Sequence, residues 1–358
     1  MSNSPSGVRC MLMRGGTSKG AFFLEDDLPT DPAERDLLLL RIMGSPDPRQ
    51  IDGVGGAHPL TTKVAVVSSS ARDDADVEYL FLQPDVDRAI VSDRQNCGNM
   101  LAAVGPFAVE RDLVEPEGGT VSVRILMRNT GGVAVATFPV EDGRPVYDGD
   151  TSISGVPGTG AEVSLEFVDI AGSSTGSLLP TGNQIDVVDG TEATLIDAGM
   201  PVVVMTAEEL GVSGYESCDE LEANATLRDR LESIRLAAGP MMNLGDVSTA
   251  TVPKLTIVAP PRSGGTVSTR TFLPHRCHDA IGVLGAVSVA TACLLPDSTA
   301  ARVAHIDTGE RVITLEHPSG TFDAEVSVGL EGTPHVERAG IIRTARLLMD
   351  GTVYPRAY

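Results

Sequence analysis

The most constraining feature of this 358-residue chain is a weak internal repeat. Three segments recur in the same order: residues 12–16 resemble 195–199, residues 62–67 resemble 253–258, and residues 97–105 resemble 277–285. The offsets are 183, 191 and 180 residues. Because ordered matches at nearly constant spacing indicate duplication, we expect two similar domains related by a pseudo-two-fold axis. The third match fits in two registers, so the counterpart of Cys97 is either Cys277 or His278.

The pattern of apolar residues predicts a mixed α/β (α+β) fold. Strands are predicted at 64–68, 77–83, 121–127, 132–138, 161–168, 251–258 and 322–328, a helix at 32–43, and an amphipathic helix at 217–238. Two further helices, 99–109 and 280–295, are apolar on all sides. Because a helix without a polar face must be surrounded, we expect a curled, mostly antiparallel sheet around one central apolar helix in each domain. A linker is predicted near 180–184.

Composition excludes several classes of function. The net charge of −22 and the pI near 4.5 argue against nucleic acid and anionic membranes as partners. The five cysteines are odd in number and lack a C-x-x-C motif, which argues against a disulfide framework or a zinc site. The N-terminus lacks a signal-peptide pattern, and the longest uncharged apolar stretch, 281–295, is short for a membrane span. We therefore expect a cytoplasmic protein.

The chain has only three lysines, Lys19, Lys63 and Lys254, and each lies in a distinctive motif. A buried lysine amine can lose its proton, whereas an arginine guanidinium in a protein cannot. Lysines kept in an arginine-rich chain therefore point to proton chemistry. Lys63 lies in an apolar strand, which makes it a candidate general base. The alternative is a lysine at a strand end whose amine reaches water.

Cys97 is the candidate partner of Lys63, because it begins the first apolar helix. A thiol at a helix N-terminus feels the positive end of the helix dipole, which favours the reactive thiolate. Gly98 permits a ligand to approach the backbone closely, and Asn99 adds a polar flank. The alternative is a small buried cysteine with a packing role. We assign that role to the other cysteines, with Cys277 as a partial exception.

Two segments have the composition of anion-binding sites. Residues 14–20 combine two cations, two hydroxyls and three glycines, in which Arg14, Thr17 and Ser18 are candidate ligand contacts. The spacing is not that of a Walker A motif. Residues 275–278, which include His275 and His278, precede the second apolar helix and can face an anion at its start. Arg270 is a further candidate cation. A zinc site here would need more ligands.

Several motifs together resemble the PrpF-type isomerases, a family that includes 2-methylaconitate isomerase and 4-oxalomesaconate tautomerase or Δ-isomerase. The motifs are residues 13–20, 43–47, 49–56, 62–65, 96–99 and 274–278, and the similarity extends from about residue 9 to about residue 353. Residues 96–99, 239–247 and 281–293 resemble the 4-oxalomesaconate branch most closely.

The resemblance implies a diaminopimelate-epimerase-like fold. The implied domains are 1–184 with 340–358, which carries Lys63 and Cys97, and 185–339, which carries Lys254 and His278. The resemblance also implies an active site in the cleft between the domains, and catalysis without a cofactor or a metal. The C-terminal strand, near 340–353, is expected to return to the first domain.

The family's base and acid are a lysine and a cysteine, matched here by Lys63 and Cys97, with their two roles left open. The candidate substrate-binding residues are Arg14, Thr17, Ser18, Thr62, Gly98, Asn99, Arg270, His275 and His278. The expected reaction moves a proton and a C=C bond in an unsaturated tricarboxylate, such as 4-oxalomesaconate from the catabolism of aromatic compounds.

Three alternatives remain open at this point. One is isomerisation of 2-methylaconitate in propionate metabolism, and a second is a binding protein for tricarboxylates without catalytic activity. The third is an amino-acid racemase, which would need a second thiol opposite Cys97. The expected partner is a small di- or tricarboxylate, and the oligomeric state is left open, with a homodimer among the options.

Overall fold

The computed structural model of the protein describes residues 7–93, 96–273, 275–306 and 312–357. The chain forms two compact units: unit 1 comprises Met1–Glu166 and Ile342–Tyr358, and unit 2 comprises Phe167–Ile341. The first boundary between the units, between Glu166 and Phe167, therefore lies before the linker that the sequence predicts near 180–184. The reason lies in residues 172–177, which fold onto a strand of unit 2: the Asp197 carboxylate accepts hydrogen bonds from the backbone N–H groups of Ser174 and Thr175.

Unit 1 is rich in strands. Its elements are β1 (Val8–Gly15), β2 (Ser18–Leu24), a short 3-10 helix (Glu25–Asp27), α1 (Pro32–Met43), β3 (Lys63–Ser69), β4 (Val77–Pro84), β5 (Val91–Ser92), α2 (Gly98–Leu101), α3 (Val104–Glu110), β6 (Thr120–Met127), β7 (Val133–Glu141), β8 (Arg144–Pro145) and most of β9 (Glu162–Val168). Helix α1 begins and ends as predicted. Asp31 caps it by accepting from Glu34 N, and Gly44 ends it with a left-handed φ of 81°.

The elements of unit 2 follow in a similar order. They are β10 (Asp186–Val188), β11 (Thr191–Asp197), β12 (Pro201–Thr206), α4 (Cys218–Ala223), α5 (Ala225–Met241), β13 (Lys254–Ala259), β14 (Val267–Phe272), α6 (Val283–Cys293), β15 (Val312–His317), β16 (Gly320–Gly329) and the first part of β17 (His335–Val353). The last part of β17 belongs to unit 1, where it pairs with β1.

The two units repeat one pairing scheme. In unit 1, β1–β2 is antiparallel, β2–β3 parallel, β3–β4 antiparallel, β4–β6 parallel and β6–β7 antiparallel. In unit 2, β11–β12, β12–β13, β13–β14, β14–β15 and β15–β16 follow the same alternation. The turns that follow β1 and β11 both use a left-handed glycine, Gly16 and Gly199. The internal repeat of the sequence is therefore a repeat of topology.

Three helix predictions need correction. The apolar stretch 99–109 forms two short helices, α2 and α3, because Pro106 lacks an N–H and its ring excludes the carbonyl of Ala102 from helical geometry. The stretch 217–238 is divided into α4 and α5 at Asn224, whose side chain caps α5 by accepting from Leu227 N. Apolar packing still surrounds α2 and α3, whose Met100, Leu101 and residues 104–108 are almost fully buried.

The third correction concerns the start of α6, which is at Val283, with Gly282 as the N-cap, and not at residue 280. Backbone groups just before it are bonded elsewhere: His278 N donates to Thr271 O, and Asp279 O accepts from Ser319 N. His278 therefore lies in the loop before the helix and not at its first turn. Among the residues that the structure describes, none of the helices combines the length and the apolar character that crossing a membrane requires.

Candidate active site

Lys63 is the first residue of β3 and its side chain is almost fully buried, with 6% exposed. Its Nζ donates to Gln83 Oε1 at 2.8 Å and lies 5.0 Å from the centroid of the Phe81 ring. In the described ranges, no carboxylate lies within ion-pair distance of this amine. A neutral amide and an aromatic ring thus hold the amine in place.

Gln83 is itself fixed, which makes it a positioning residue for Lys63. It follows Leu82, the cross-strand partner of Val64, so that it lies opposite Lys63. Its Nε2 donates to Thr62 O at 2.6 Å. The amide therefore spans the strand end and orients the lysine from the neighbouring strand. No sequence motif marks Gln83, and only the strand register identifies it.

Thr62 is placed beside Lys63, but its hydroxyl is already used. The side chain is fully buried, and Oγ1 donates to Gln50 Oε1 at 2.6 Å. Gln50 Oε1 also accepts from Ala57 N at 2.7 Å, and Gln50 Nε2 donates to Ser45 Oγ at 3.0 Å. Thr62 therefore ties the start of β3 to the loop 45–57, which supports the position of Lys63 and leaves no free donor for a ligand.

Cys97 is a free, half-buried thiol at the N-cap of α2. Its carbonyl accepts from Leu101 N at 3.0 Å, which closes the first turn and points the N–H groups of Gly98 and Asn99 out of the helix start. The buried Tyr79 hydroxyl lies 3.5 Å from the Cys97 carbonyl, and burial, followed by the proximity of Cys97, raises the pKa of Tyr79. Tyr79 therefore acts as a neutral phenol beneath the cysteine.

The glycine loop after β1 lies directly against the start of α2. A Cβ on Gly15 would approach Asn99 O to 2.3 Å, and one on Gly16 would approach Asn99 Oδ1 to 2.2 Å. The Asn99 side chain donates to Thr17 Oγ1 at 3.1 Å and accepts from Arg343 Nε at 3.2 Å. The structure therefore brings Thr17, Gly98 and Asn99 together, and it adds Arg343, which no sequence motif marks.

Arg14 braces this loop. Its Nη1 donates to Gly16 O, Thr344 O and Thr344 Oγ1 at 2.9–3.0 Å. Burial, and then the nearby Arg346, lower the pKa of Arg14. Arg14, which is predicted to bind a carboxylate, thus uses its Nη1 group to hold the glycine loop to β17.

Ser18 has a buried hydroxyl without a partner. The residue is 1% exposed, and its Oγ makes no hydrogen bond within the described part of the chain. Ser18 and Gly20 share one face of β2, and a Cβ on Gly20 would lie 2.5 Å from both Lys63 O and Met100 Cε. The Ser18 hydroxyl therefore lies on the face of β2 that packs against α2 and the start of β3, where a ligand oxygen can satisfy it.

The candidate residues of unit 2 do not all come together. His275 is 67% exposed and its Nδ1 lies 3.6 Å from Glu232 Oε2, at the surface. Arg270 is 8% exposed, and it donates to the backbone carbonyls of Glu216 and Thr269. It lines a cavity of about 350 Å³ together with Arg262 and His317. Pro274, part of the motif 274–278, lies outside the described residues.

Cys277 and His278 differ in their surroundings. The Cys277 thiol is buried, its Sγ lies 3.0 Å from Cys218 Sγ, and burial raises its pKa well above the ordinary value. His278 is half-buried, and its Nδ1 accepts from Ala280 N at 2.8 Å. Burial opposes ionisation of both side chains, so Cys277 is a poor nucleophile and the His278 pKa is lowered. Among the described residues, no three His, Cys, Asp or Glu side chains form a group suited to a metal ion.

The duplicated strand-rich α/β fold belongs to the diaminopimelate-epimerase-like fold class, and a buried lysine begins one of its strands while a cysteine precedes one of its helices. A family model described as "PrpF protein" matches residues 6–356. The chain belongs to the PrpF family, and it is an isomerase. The expected family and fold class are thereby confirmed.

The similar proteins support this assignment over the whole chain. A protein of Novosphingobium sp. (strain KA1) named (4E)-oxalomesaconate Delta-isomerase is 59% identical over 346 residues, which cover 96% of each chain. A 4-oxalomesaconate tautomerase of Pseudomonas putida is 58% identical over 347 residues, covering 97% of this chain and 95% of its own.

Solved structures give the same fold. A methylitaconate-delta-isomerase superposes with a TM-score of 0.90 at 34% identity, over 99% of this chain and 96% of its own. A hydroxyproline epimerase from Agrobacterium vitis superposes with a TM-score of 0.54 at 15% identity, over 97% of this chain and 92% of its own. The latter similarity concerns the fold alone.

Proposed function

We propose that this isomerase moves a proton and a C=C bond within 4-oxalomesaconate, in the breakdown of aromatic compounds. The observation that carries the proposal is the Lys63 amine: it is buried, held by the Gln83 amide and, in the described ranges, without a carboxylate partner. Two similar proteins at 58–59% identity are named for this substrate, which supports the choice among unsaturated tricarboxylates.

In the proposed mechanism, Lys63 acts as the general base. The unprotonated form of its amine removes a proton from a carbon that is acidified by the conjugated carbonyl and C=C system of the substrate, which gives a dienolate and an ammonium. The Cys97 thiol then donates a proton to the other end of the dienolate, and proton exchange with solvent restores both side chains. General acid–base steps of this kind contribute about 10²–10⁴-fold each.

The start of α2 is the proposed site for the negative charge of the dienolate. The N–H groups of Gly98 and Asn99 point out of the helix start, and the Ser18 hydroxyl on β2 has no partner in the described part of the chain. Donors fixed before the reaction stabilise developing charge without reorganisation. Thr17 supports this site through its hydrogen bond with Asn99.

The remaining candidates receive different weights in the proposal. Arg14 fixes the glycine loop through Nη1 and remains a proposed carboxylate contact, and Thr62 fixes the start of β3. Arg270 and His278 remain proposed carboxylate contacts, while His275 is exposed and occupied by Glu232. We also propose that the enzyme is cytoplasmic and that it needs no metal or cofactor. Its activity should therefore be unchanged after dialysis against a chelator.

The substrate is tested by incubating the enzyme with 4-oxalomesaconate and, in parallel, with 2-methylaconitate, and by following both with proton NMR. The proposal predicts a shifted double bond or a tautomerised product from 4-oxalomesaconate, at a kcat/KM at least about 100-fold above that for 2-methylaconitate. Turnover of 2-methylaconitate alone would reject the substrate. Tight binding of 4-oxalomesaconate without turnover would favour a binding protein.

A further inference from the structure

Lys254 in unit 2 occupies the position that Lys63 occupies in unit 1. Each lysine is the first residue of the third strand of the repeated pairing scheme, β13 or β3. Each is the first residue of the parallel ladder to the second strand, opposite Val202 or Gly20. Lys254 is thus the duplicated copy of the proposed base, and one of only three lysines in the chain.

Unit 2 has no amide at the position equivalent to Gln83. The position equivalent to Gln83 is the residue after Phe272, the partner of Leu255, and this residue is the apolar Leu273. Within the described ranges, the Lys254 amine makes no hydrogen bond and no ion pair. Its cationic neighbour Arg235 is fully buried and is itself satisfied by Glu232 and by the Val247 carbonyl. Lys254 is therefore a half-buried amine with its donors free.

His278 supplies a second free donor at the same end of the sheet. Its backbone N–H donates to Thr271 O, and Thr271 is the cross-strand partner of Thr256, two residues after Lys254. Because His278 Nδ1 accepts from Ala280 N, the neutral ring carries its proton on Nε2. Burial lowers the His278 pKa, the Asp279 carboxylate opposes this effect, and the Lys254 charge adds to it.

Further basic groups adjoin these two. Asp279 O accepts from Ser319 N and Ser319 Oγ, which ties the His278 segment to the loop that carries His317. His317 and Arg270 line the same cavity. The one neighbouring carboxylate that acts on the His278 pKa, Asp279, is exposed and therefore screened by solvent. Arg270 and His317 already have hydrogen-bond partners and share their cavity with the Glu316 carboxylate, so Lys254 and His278 are the donors left for an anion among the described basic groups named here.

We propose that Lys254 and His278 bind a carboxylate group of a small polycarboxylate, the amine through its charge and the imidazole through Nε2–H. In this account, duplication has converted the lysine of unit 2 from a base into a binding residue that selects for a further carboxylate. The inference rests on the proposed function only for the identity of the natural ligand. Its test uses tricarballylate, a saturated tricarboxylate.

The test compares the wild type with Lys254→Met, Lys254→Arg, His278→Ala and, as a matched loss of charge, Arg302→Met at an exposed ion pair. Calorimetry measures the Kd of tricarballylate, and kinetics measure kcat and KM for 4-oxalomesaconate. We expect Lys254→Met to raise Kd and KM about 10–100-fold with kcat within about 3-fold of the wild type, since one charge-assisted contact is lost. Lys254→Arg should retain binding within about 5-fold, and His278→Ala should weaken it about 5–10-fold.

Unchanged tricarballylate binding in Lys254→Met would overturn the inference, as would the absence of binding to the wild type. A fall in kcat without a change in Kd would return Lys254 to a role in proton transfer and would also overturn it. Binding that depends on Lys254, in a wild type that does not convert 4-oxalomesaconate, would support the inference while rejecting the proposed function. Thermal melting shows whether Lys254→Arg is folded, so that its Kd for tricarballylate reports on the site.

Discussion

Lys63 Nζ donates to Gln83 Oε1 at 2.8 Å, across the end of the β3–β4 ladder. The same amide donates to Thr62 O, so that the lysine and its own strand are held by one side chain. An amine held by a neutral partner keeps its position in both protonation states, which is the requirement for a base that must return to its starting state in each cycle.

Replacement of the anchor should slow the reaction without weakening binding. We expect Gln83→Leu to lower kcat about 10–100-fold with KM within about 3-fold, because the base is present but no longer aimed. Steady-state kinetics separate the two effects. Gln184→Leu, an amide change outside unit 1, should leave both values unchanged. A rise in KM with normal kcat for Gln83→Leu would assign Gln83 to substrate binding.

The thiol at the start of α2 should be needed for the protonation step. We expect Cys97→Ser to lower kcat about 10²–10⁴-fold, because a serine hydroxyl is a far weaker acid than a thiol. Cys218→Ser, which alters a half-buried thiol on α4, is the matched control and should retain full activity. If Cys97→Ser kept more than a third of the wild-type kcat, Cys97 could not be the proton donor.

Close packing of Gly15 on α2 should make that position intolerant of any side chain. A Cβ there would lie 2.3 Å from Asn99 O, a backbone atom that cannot move alone. We expect Gly15→Ala to reduce the free energy of unfolding by about 2–4 kcal/mol, measured by urea denaturation. Gly119→Ala, where no atom lies within 4 Å of the new Cβ, is the control and should change it by less than about 0.5 kcal/mol. Equal stability of the two variants would contradict the packing described here.

The Glu316 carboxylate should contribute a pH-dependent part of the stability of unit 2. Burial opposes its ionisation, but the backbone N–H groups of Arg262, Gly265 and Ser263 donate to it, and together they lower its pKa below the ordinary 4.5. Because the folded-state pKa is the lower one, the stabilisation is complete above pH 4.5 and is lost as the pH falls through the folded-state value.

Melting temperatures of the wild type and Glu316→Gln between pH 7 and pH 3 measure this contribution. The difference in the free energy of unfolding, derived from these melting curves, should be largest near pH 7, at about 1–3 kcal/mol, and should shrink toward pH 3. Glu331→Gln, at an exposed position, should follow the wild type throughout. A difference that stays constant with pH would mean that Glu316 acts through packing alone.

Some parts of this structure follow from the sequence and others do not. The internal repeat predicts the duplicated topology because backbone pairing depends on the order and period of apolar segments, which the sequence displays. The same pattern predicts Lys63 in a strand and Cys97 at a helix start, whereas their roles as base and acid are predictions that rest on the family resemblance. Pro106 inside the apolar stretch also indicates a break in the helix, which the structure shows between α2 and α3.

Tertiary neighbours are the part that sequence patterns do not contain. Gln83 meets Lys63 only through the register of two strands, and Arg343 meets Asn99 across more than two hundred residues. The position of His275 in a motif makes it a candidate substrate contact, whereas its exposure and its neighbour Glu232 are visible only in the fold. A motif shows which residues are near in sequence, and the register decides which side chains share a site.

The most direct test of the account follows proton NMR of 4-oxalomesaconate in D₂O with the wild type and with Lys63→Met, which is similar in volume but cannot exchange a proton. The account predicts a shifted double bond or tautomer with deuterium incorporated by the wild type, and at least about a 10³-fold slower reaction with the folded variant. Product formation and deuterium incorporation by Lys63→Met at rates near those of the wild type would contradict the assignment of Lys63 as the base.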